Sequence, residues 1–358
     1  MSMTQVAKLA GVSHATVSRV INRRSDVSPD SVQRVRQAMQ RLRYVPPAKR
    51  RGPKPKASGV RTGSVGMLFV GETPTLATSP VMALVLHAIQ DELAARGFNL
   101  TLGQVTAAGD LPPNITGGHV DGLFMHGPPP SRDVQRQLSR YSACVWLLSQ
   151  RRQRGYWGDR VSPDNGQIGA LAAKYLIDRG HACIASVNCD PSHFGFVTRA
   201  QSFQEVASEA GVPVKTFADN GNAIPIGEGE PDHVQAQFDA LIDQMVSADG
   251  PKPTGLFVPR DTLTIRMCRA LSRRGLRPGR DIEIVSCDNI PALDALDPRP
   301  ATIDVRPNDI GRRAVDQLLW RIDHRDAPMN VVTLIEPRLV PGDACGMDAL
   351  SVTRPLER

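Results

Sequence analysis

MTQVAKLAGVSHATVSRVIN, running from Met3 to Asn22, is the stretch on which the reading of this chain turns. Ser2 is placed to cap a first short helix, with Gln5 three residues on to answer it. Val6, Leu9 and Ala10 supply the apolar stripe of that helix. Gly11 falls where a tight turn between helices needs positive φ, which glycine adopts at little cost. Ser13 can cap a second helix, whose Val17, Val20 and Ile21 turn inward. His14, Ala15, Ser18 and Arg19 are left on the outward, N-terminal surface of that helix, the part of a recognition helix that meets base edges. A helical hairpin with a purely structural role is the alternative. The strongly basic chain that follows argues instead for a DNA-reading helix-turn-helix.

A third helix completes the unit. Ser28 is a good N-cap and Pro29 suits the first helical position. Val32, Val35, Met39 and Leu42 recur at three- and four-residue steps and give one apolar face. Tyr44-Val45-Pro46-Pro47 ends the helix, because a residue before proline is driven out of the α region. Three helices in about 45 residues make a small core, so DNA or a partner subunit is expected to help it fold. Charge follows the same division. Up to Arg61 there are fourteen Lys and Arg against Asp26 and Asp30, a surplus of +12 in a chain of net charge +7, which leaves −5 for the rest. A basic patch so confined is the footprint of a phosphate-binding module.

VAKLAGVS-x-ATVSRVIN, the Val27-Ser28 helix start and the Tyr44-x-Pro46 ending resemble the lactose-repressor (LacI/GalR) family of bacterial transcription regulators. The likeness continues more loosely through most of the chain. It implies that His14, Ala15 and Arg19 read the major groove. Arg19 would donate to a guanine in bidentate fashion, worth roughly 1–3 kcal/mol of discrimination. His14 would make one hydrogen bond, and Ala15 would touch a thymine methyl. Ser13, Thr16, Ser18 and Asn22 are better placed for phosphates, which position without specifying. Tyr44 joins them as a candidate DNA contact.

The linker departs from the family, whose usual continuation is a short hinge helix with an Ala-x-x-Leu-like pattern that wedges leucines into the minor groove. Here the chain reads PPAKRRGPKPK from Pro46 to Lys56, without leucine and with prolines and Gly52 that discourage a helix. Lys49, Arg50, Arg51 and Lys54 leave two readings open. One is an extended arm in a narrow A·T-rich minor groove; the other is a spacer with incidental phosphate contacts.

From Gly63 on the pattern is α/β. Short apolar runs suited to buried parallel strands occur at Ser64–Val70, Asn99–Leu102, Val120–Met125, Ala143–Leu148, Cys183–Asn188, Leu256–Val258 and Ile282–Ser286. Helical stretches at Pro80–Arg96, Gly169–Arg179, Arg199–Ala210 and Thr262–Arg274 alternate with them. Such alternation implies parallel sheets covered on both faces. About 290 residues is long for one such sheet, so two lobes are expected. This resembles the periplasmic-binding-protein-like (type I) fold of the family's effector domain, in which the chain crosses between lobes three times. The organisation expected is a helix-turn-helix DNA-binding domain over 1–46, a basic linker over 47–62, an effector-binding and dimerisation domain over 63–347, and a tail over 348–358. The N-lobe would take 63–161 and 303–323, and the C-lobe 162–302 and 324–347.

Ligands in such folds bind beyond the carboxyl ends of the strands, here in the inter-lobe cleft. The resemblance implies effector contacts from Arg199, at the family's ligand-binding arginine, and from Asp288, where an acidic residue accepts from a sugar hydroxyl or a base N–H. It adds Asp261, and Ser79 near a first-strand Asn-Pro contact. Arg260 stands where the family has asparagine, and brings a second cation that suits a ligand carboxylate or phosphate. It could instead pair with Asp261 or Asp288 and fill the pocket. A strand-end aspartate is replaced by Leu148-Ser149. An ordinary buried or surface pairing is the alternative for each of these residues.

Enzyme motifs are missing: there is no Gly-x-Ser-x-Gly elbow, Walker-type phosphate loop or His-Glu-x-x-His. The six cysteines show no C-x-x-C spacing, so neither a zinc site nor a redox pair is indicated, and no metal or cofactor is expected. Four tyrosines and three tryptophans are few for an aromatic binding platform. The N-terminal segment reads as a folded head rather than a signal peptide, and no apolar run nears the roughly 20 residues that span a bilayer. A cytoplasmic protein without a membrane partner is expected. The function expected is that of a repressor of sugar-utilisation or related metabolic genes. A homodimer would bind palindromic double-stranded operator DNA and respond to a small-molecule effector, a sugar or an acidic sugar derivative. The helix Met82–Arg96 and the segment after Pro291 would form the dimer surface. Two rivals are an effector-blind DNA-binding regulator with a degenerate pocket, and a solute-binding or enzymatic protein on the same fold, which the basic head opposes.

Overall fold

The computed structural model describes residues 3–21, 27–42, 44, 61–71, 79–106, 109, 111–138, 141, 143–148, 157–188, 193–218, 231–328 and 330–343. Ser2, Asn22, Lys49, Arg50, Arg51 and Lys54 lie outside them. The chain divides into two compact units, residues 1–55 and 56–358.

In the small unit α1 (Met3–Ala10), α2 (His14–Ile21) and α3 (Pro29–Arg41) enclose a core of Val6, Ala7, Ala10, Val17, Val35 and Ala38. Gly11 takes φ +63° in the turn between α1 and α2. Ser13 Oγ accepts from the Thr16 N–H (3.1 Å) and caps α2, and Ser28 caps α3 just before Pro29. Leu9 departs from the expected stripe. It is 47% exposed, and Ala7 is buried in its stead. Helices α1 and α3 pack on one another, and the small side chains Ala7, Ala10 and Ala38 are buried in the core they share with Val6 and Val35.

The larger unit holds two six-stranded sheets among its described residues. The first consists of β1 (Ser64–Val70), β2 (Asn99–Val105), β3 (Gly122–His126), β4 (Cys144–Leu147), β5 (Asp159–Pro163) and β11 (Val332–Ile335). Its order is β11-β5-β4-β3-β1-β2 and every pairing is parallel. The second consists of β6 (Ile184–Asn188), β7 (Val214–Ala218), β8 (Gly255–Phe257), β9 (Glu283–Asp288), β10 (Ala301–Asp304) and β12 (Arg338–Val340). Its order is β12-β10-β9-β8-β6-β7, parallel except where β12 meets β10. After Ser64 every residue of β1 is buried, as befits a parallel strand covered on both faces. Helices α4 (Pro80–Ala95), α5 (Pro113–Thr116), α6 (Arg132–Leu138) and α11 (Pro307–Asp323) belong with the first sheet. Helices α7 (Asn165–Asp178), α8 (Phe194–Glu209), α9 (Pro231–Ser247) and α10 (Asp261–Arg273) belong with the second.

The connections orient the two lobes. Helix α7 packs on β8, β9 and β10 and leads into the parallel strand β6, so it runs against the strands. Its N-terminus therefore lies at the carboxyl edge of the second sheet, and it begins directly after the carboxyl end of β5, capped by Asp164. Helix α11 repeats this in reverse: it leaves the carboxyl end of β10 and starts over the carboxyl edge of the first sheet. The third crossing, from Ile335 to Arg338, ends beside Asp304 at the same edge of β10. The carboxyl edges of the two sheets thus face each other.

Residues 332–335 correct the expected division, which put 324–347 with the C-lobe. Strand β11 pairs with β5 in the first sheet, and only β12 joins the second. The cause is a fully buried ion pair. Arg321 on α11 grips both oxygens of Asp159 on β5 (2.8 and 2.9 Å), and Asp159 also accepts from the Val331 N–H (3.0 Å). That bond delivers the next residues to the edge of β5. In the same way β5 runs on to Pro163 and β10 to Asp304, past the expected breaks after 161 and 302. In the second lobe α7 and α8 touch through Gly169, where a Cβ would stand 2.1 Å from the Arg199 carbonyl oxygen.

Candidate functional site

On α2, Val17 is the buried residue, packed with Val6 of α1 and Val35 of α3. His14, Ala15 and Arg19 are exposed, while Thr16 and Ser18 are half-buried. The expected base-reading side chains therefore share the solvent face of a helix whose other side is held by the core. Ser13 braces the first turn, its Oγ 2.9 Å from Thr16 Oγ1. Tyr44 is placed otherwise: half-buried against the apolar cluster, with its N–H bonded to the Met39 carbonyl (2.8 Å), it helps close the head.

Three expected effector residues meet at the carboxyl edge of the second sheet. Arg199, in the second turn of α8, is 6% exposed. Its Nε donates to Asn165 Oδ1 (2.8 Å) and its Nη1 to the Pro259 carbonyl (2.5 Å), and its guanidinium lies 5.7 Å from the centre of the Phe196 ring. Because Pro259 immediately precedes Arg260, that bond brings the two arginines together. Arg260 Nε lies 3.8 Å from Asp288 Oδ2, an ionic contact beyond hydrogen-bond length. Asp288 ends β9 with φ +117°, and Asn289 follows at +57°. Two successive non-glycine residues at positive φ are strained, and such strain collects at functional sites. Burial pushes the Asp288 carboxyl above its ordinary pKa against the pull of Arg199 and Arg260.

Asp261 does not join this group, which corrects the expectation that it faces the effector. It is fully buried, Oδ1 accepts from the hydroxyls of Ser286 and Thr302, and Oδ2 accepts from the Ile290 N–H (2.7 Å). Its carboxylate thus pins the loop that follows β9 and fixes the backbone beside Asp288. Burial and the charge of Asp288 push its pKa up to about 7 despite those bonds.

Across the cleft Ser79 is buried at the N-cap position of α4 and makes no capping bond, and Leu148 holds φ +57° just past β4. Two residues of the edge escape sequence reading. His126 closes β3 with Nδ1 3.1 Å from the Leu147 carbonyl oxygen and its ring edge-on to Phe69 at 6.4 Å; a polar residue between the run GLFM and a glycine was its signal. Asn165 holds Arg199, and its signal was the Asp164 cap that places it at the first turn of α7. No helix among the described residues is long and apolar enough to cross a membrane. They include no group of three or more side chains arranged to hold a metal ion.

Residues 2–47 match the family described as "Bacterial regulatory proteins, lacI family", and residues 173–345 match "Periplasmic binding protein-like domain". The chain is 27% identical over 343 residues to the HTH-type transcriptional repressor PurR of Pasteurella multocida (strain Pm70), covering 95% of this chain and 97% of that protein. It is 28% identical over 350 residues to PurR of Haemophilus influenzae (strain PittEE), with the same coverage. Among solved structures it is similar to the Lac repressor dimer bound to operator and the anti-inducer ONPF, with a TM-score of 0.68 at 21% identity over 96% of this chain and 98% of that one. It is also similar to the transcriptional regulator CelR in complex with cellobiose, with a TM-score of 0.63 at 22% identity over 96% and 99%. At those identities the likeness is one of fold.

Proposed function

Because this chain belongs to the lacI family of bacterial regulatory proteins, we propose that it is a DNA-binding transcriptional repressor, a homodimer on palindromic duplex DNA that answers to a small molecule between its lobes. The observation that carries this reading is the capped helix α2, with His14, Ala15 and Arg19 on its outer face, inside a segment carrying a surplus of +12. The facing carboxyl edges support the effector. A ligand that touches both favours one lobe arrangement, and DNA affinity shifts by its differential affinity for the two. The Lac repressor dimer on operator and CelR with cellobiose are precedents on the same fold. The reading assigns no catalytic step, places the protein in the cytoplasm with the DNA, and gives it genes of sugar or related metabolism to control. An effector-blind regulator is the second reading, favoured by the Arg260–Asp288 contact inside the cleft.

The test is selection of duplexes from a random library by the full chain. Enrichment of a two-half-site palindrome is expected. Arg19→Ala should then relax selection at one base pair of each half-site, by roughly 1–3 kcal/mol, in competition titrations. A library that emerges unenriched would refute the repressor reading.

A further inference from the structure

We propose that the outer edge of the first sheet is a second pairing surface, on which β11 of one copy lies antiparallel to β11 of another. Two dimers joined there make a particle with four reading heads. This goes beyond the repressor reading, which needs only one pairing surface.

Among the described residues β11 ends the first sheet, with β5 on one side and no strand on the other. Its register against β5 fixes where its backbone points. The Arg160 N–H donates to the Val331 carbonyl (2.8 Å) and the Asp164 N–H to the Ile335 carbonyl (2.9 Å). In a parallel ladder alternate residues face the same neighbour, so Thr333 also turns its N–H and carbonyl to β5, while Val332 and Leu334 turn theirs outward. Two outward residues flanking one inward residue form a set that matches itself across a two-fold axis. Val332 of one copy pairs with Leu334 of the other, and Leu334 with Val332. These two pairs exchange four hydrogen bonds around a central pair of Thr333 residues.

The side chains suit the same occupant. Val332 is 50% exposed and Leu334 47%, and each falls opposite the other across the axis. Trp320, 42% exposed in the last turn of α11, borders the same edge, lining a groove with Thr333 and Leu334. Sheet edges are commonly blunted by lysine, proline or a bulge, and Val332-Thr333-Leu334-Ile335 carries none of these. The charged residues of the groove are three cations, Arg306, Arg312 and Arg313, and three anions, Asp309, Asp316 and Glu336. A border of both signs in equal number offers little to a polyanion or a polycation and suits a second copy of itself. The helix expected in the dimer surface, α4, packs on β2 at the opposite edge of the sheet.

The experiment follows the mass of the full chain by sedimentation velocity, from low to high micromolar concentration. The parent chain should exceed a dimer as concentration rises. Leu334→Lys sets an ammonium group against the opposing Val332 and should halve that mass, while the variant still melts cooperatively and still binds the duplex selected by the parent. Val332→Lys makes the same change from the other side of the pair, should the first variant fold poorly. Thr333→Cys tests the register. The two central Cα atoms would lie about 4.5 Å apart, so mild oxidation should link two chains, and a thiol should release them, beyond any linking of the parent treated alike. A parent chain that never exceeds a dimer, an unchanged mass in both lysine variants, or no added linking in Thr333→Cys would each overturn the proposal. Duplex selection failing in the parent itself defeats the repressor reading, and mass and cross-link still decide this edge.

Discussion

Glu283 and His181 are separated by about a hundred positions along the chain, yet their side chains meet within one network. Glu283 accepts from the Tyr175 hydroxyl (2.9 Å) and pairs with Arg179 Nε (2.6 Å) and His181 Nε2 (2.9 Å), while His181 Nδ1 lies 2.8 Å from Thr254 Oγ1. Burial alone would raise the Glu283 pKa. The hydrogen bonds from His181, Arg179 and Tyr175, with the charge of Arg179, outweigh it and hold the group at about 2. A carboxyl depressed from its ordinary 4.5 contributes stability that is present above pH 4.5 and lost as pH falls through 2. Glu283→Gln should therefore destabilise the protein by about 2–4 kcal/mol at pH 7, and the gap to the parent should close between pH 5 and 2. Denaturant melts across that range measure it, and a gap independent of pH would contradict the assignment. The sequence shows His181 only as a helix stop and Ile282–Ser286 only as a strand, because periodicity reveals which face is apolar and is blind to partners far along the chain. The inward placement of Asp261 is hidden in the sequence for the same reason: its neighbours Ser286, Ile290 and Thr302 arrive from other elements.

Strands with long apolar runs were mostly the legible ones, although the exposed edge strand β2 was read as well and the short buried β5 was not. Runs such as SVGMLFV and CVWL hold their place as strands because no polar residue interrupts them. Strands β11 and β12 are illegible by the same rule: they are sheet edges, and Val332 and Leu334 are exposed, so no burial pattern marks them. The paired helices α7 and α8 offer a sharper test of how elements position the site. A Cβ on Gly169 would meet the carbonyl of Arg199 itself. Gly169→Ala should push the helices apart at a cost of about 1–3 kcal/mol, lowering the melting temperature. It should also weaken ligand binding, because the residue displaced is the one that bears the guanidinium. A variant that melts early yet binds normally would mean that α8 can shift without carrying Arg199 out of place.

Over the whole molecule, both lobes are discontinuous in sequence, and the Asp159–Arg321 pair closes the first of them. Arg321→Ala leaves Asp159 charged and buried and should cost about 3–5 kcal/mol, read from denaturant melts of the full chain. The two-lobed class was visible in the alternation of strands and helices; where the last crossing falls was not, since an ion pair rather than a pattern decides it. That arrangement also sets a timetable. The first sheet begins at Ser64 and is finished only by Ile335, the second begins at Ile184 and is finished only by Val340. A ribosome that has released β5 must add 172 more residues to reach Ile335, a wait of roughly ten to thirty seconds at bacterial speeds. Throughout it β5 is an open edge. The reading head is the first part to emerge and the closing strand almost the last, so a chain broken off at Asp323 should have a core unable to melt cooperatively, as near-ultraviolet circular dichroism would show. Interrupted synthesis then yields no rival for the operator, because the surface that would pair two heads belongs to a core that exists only once translation has nearly finished.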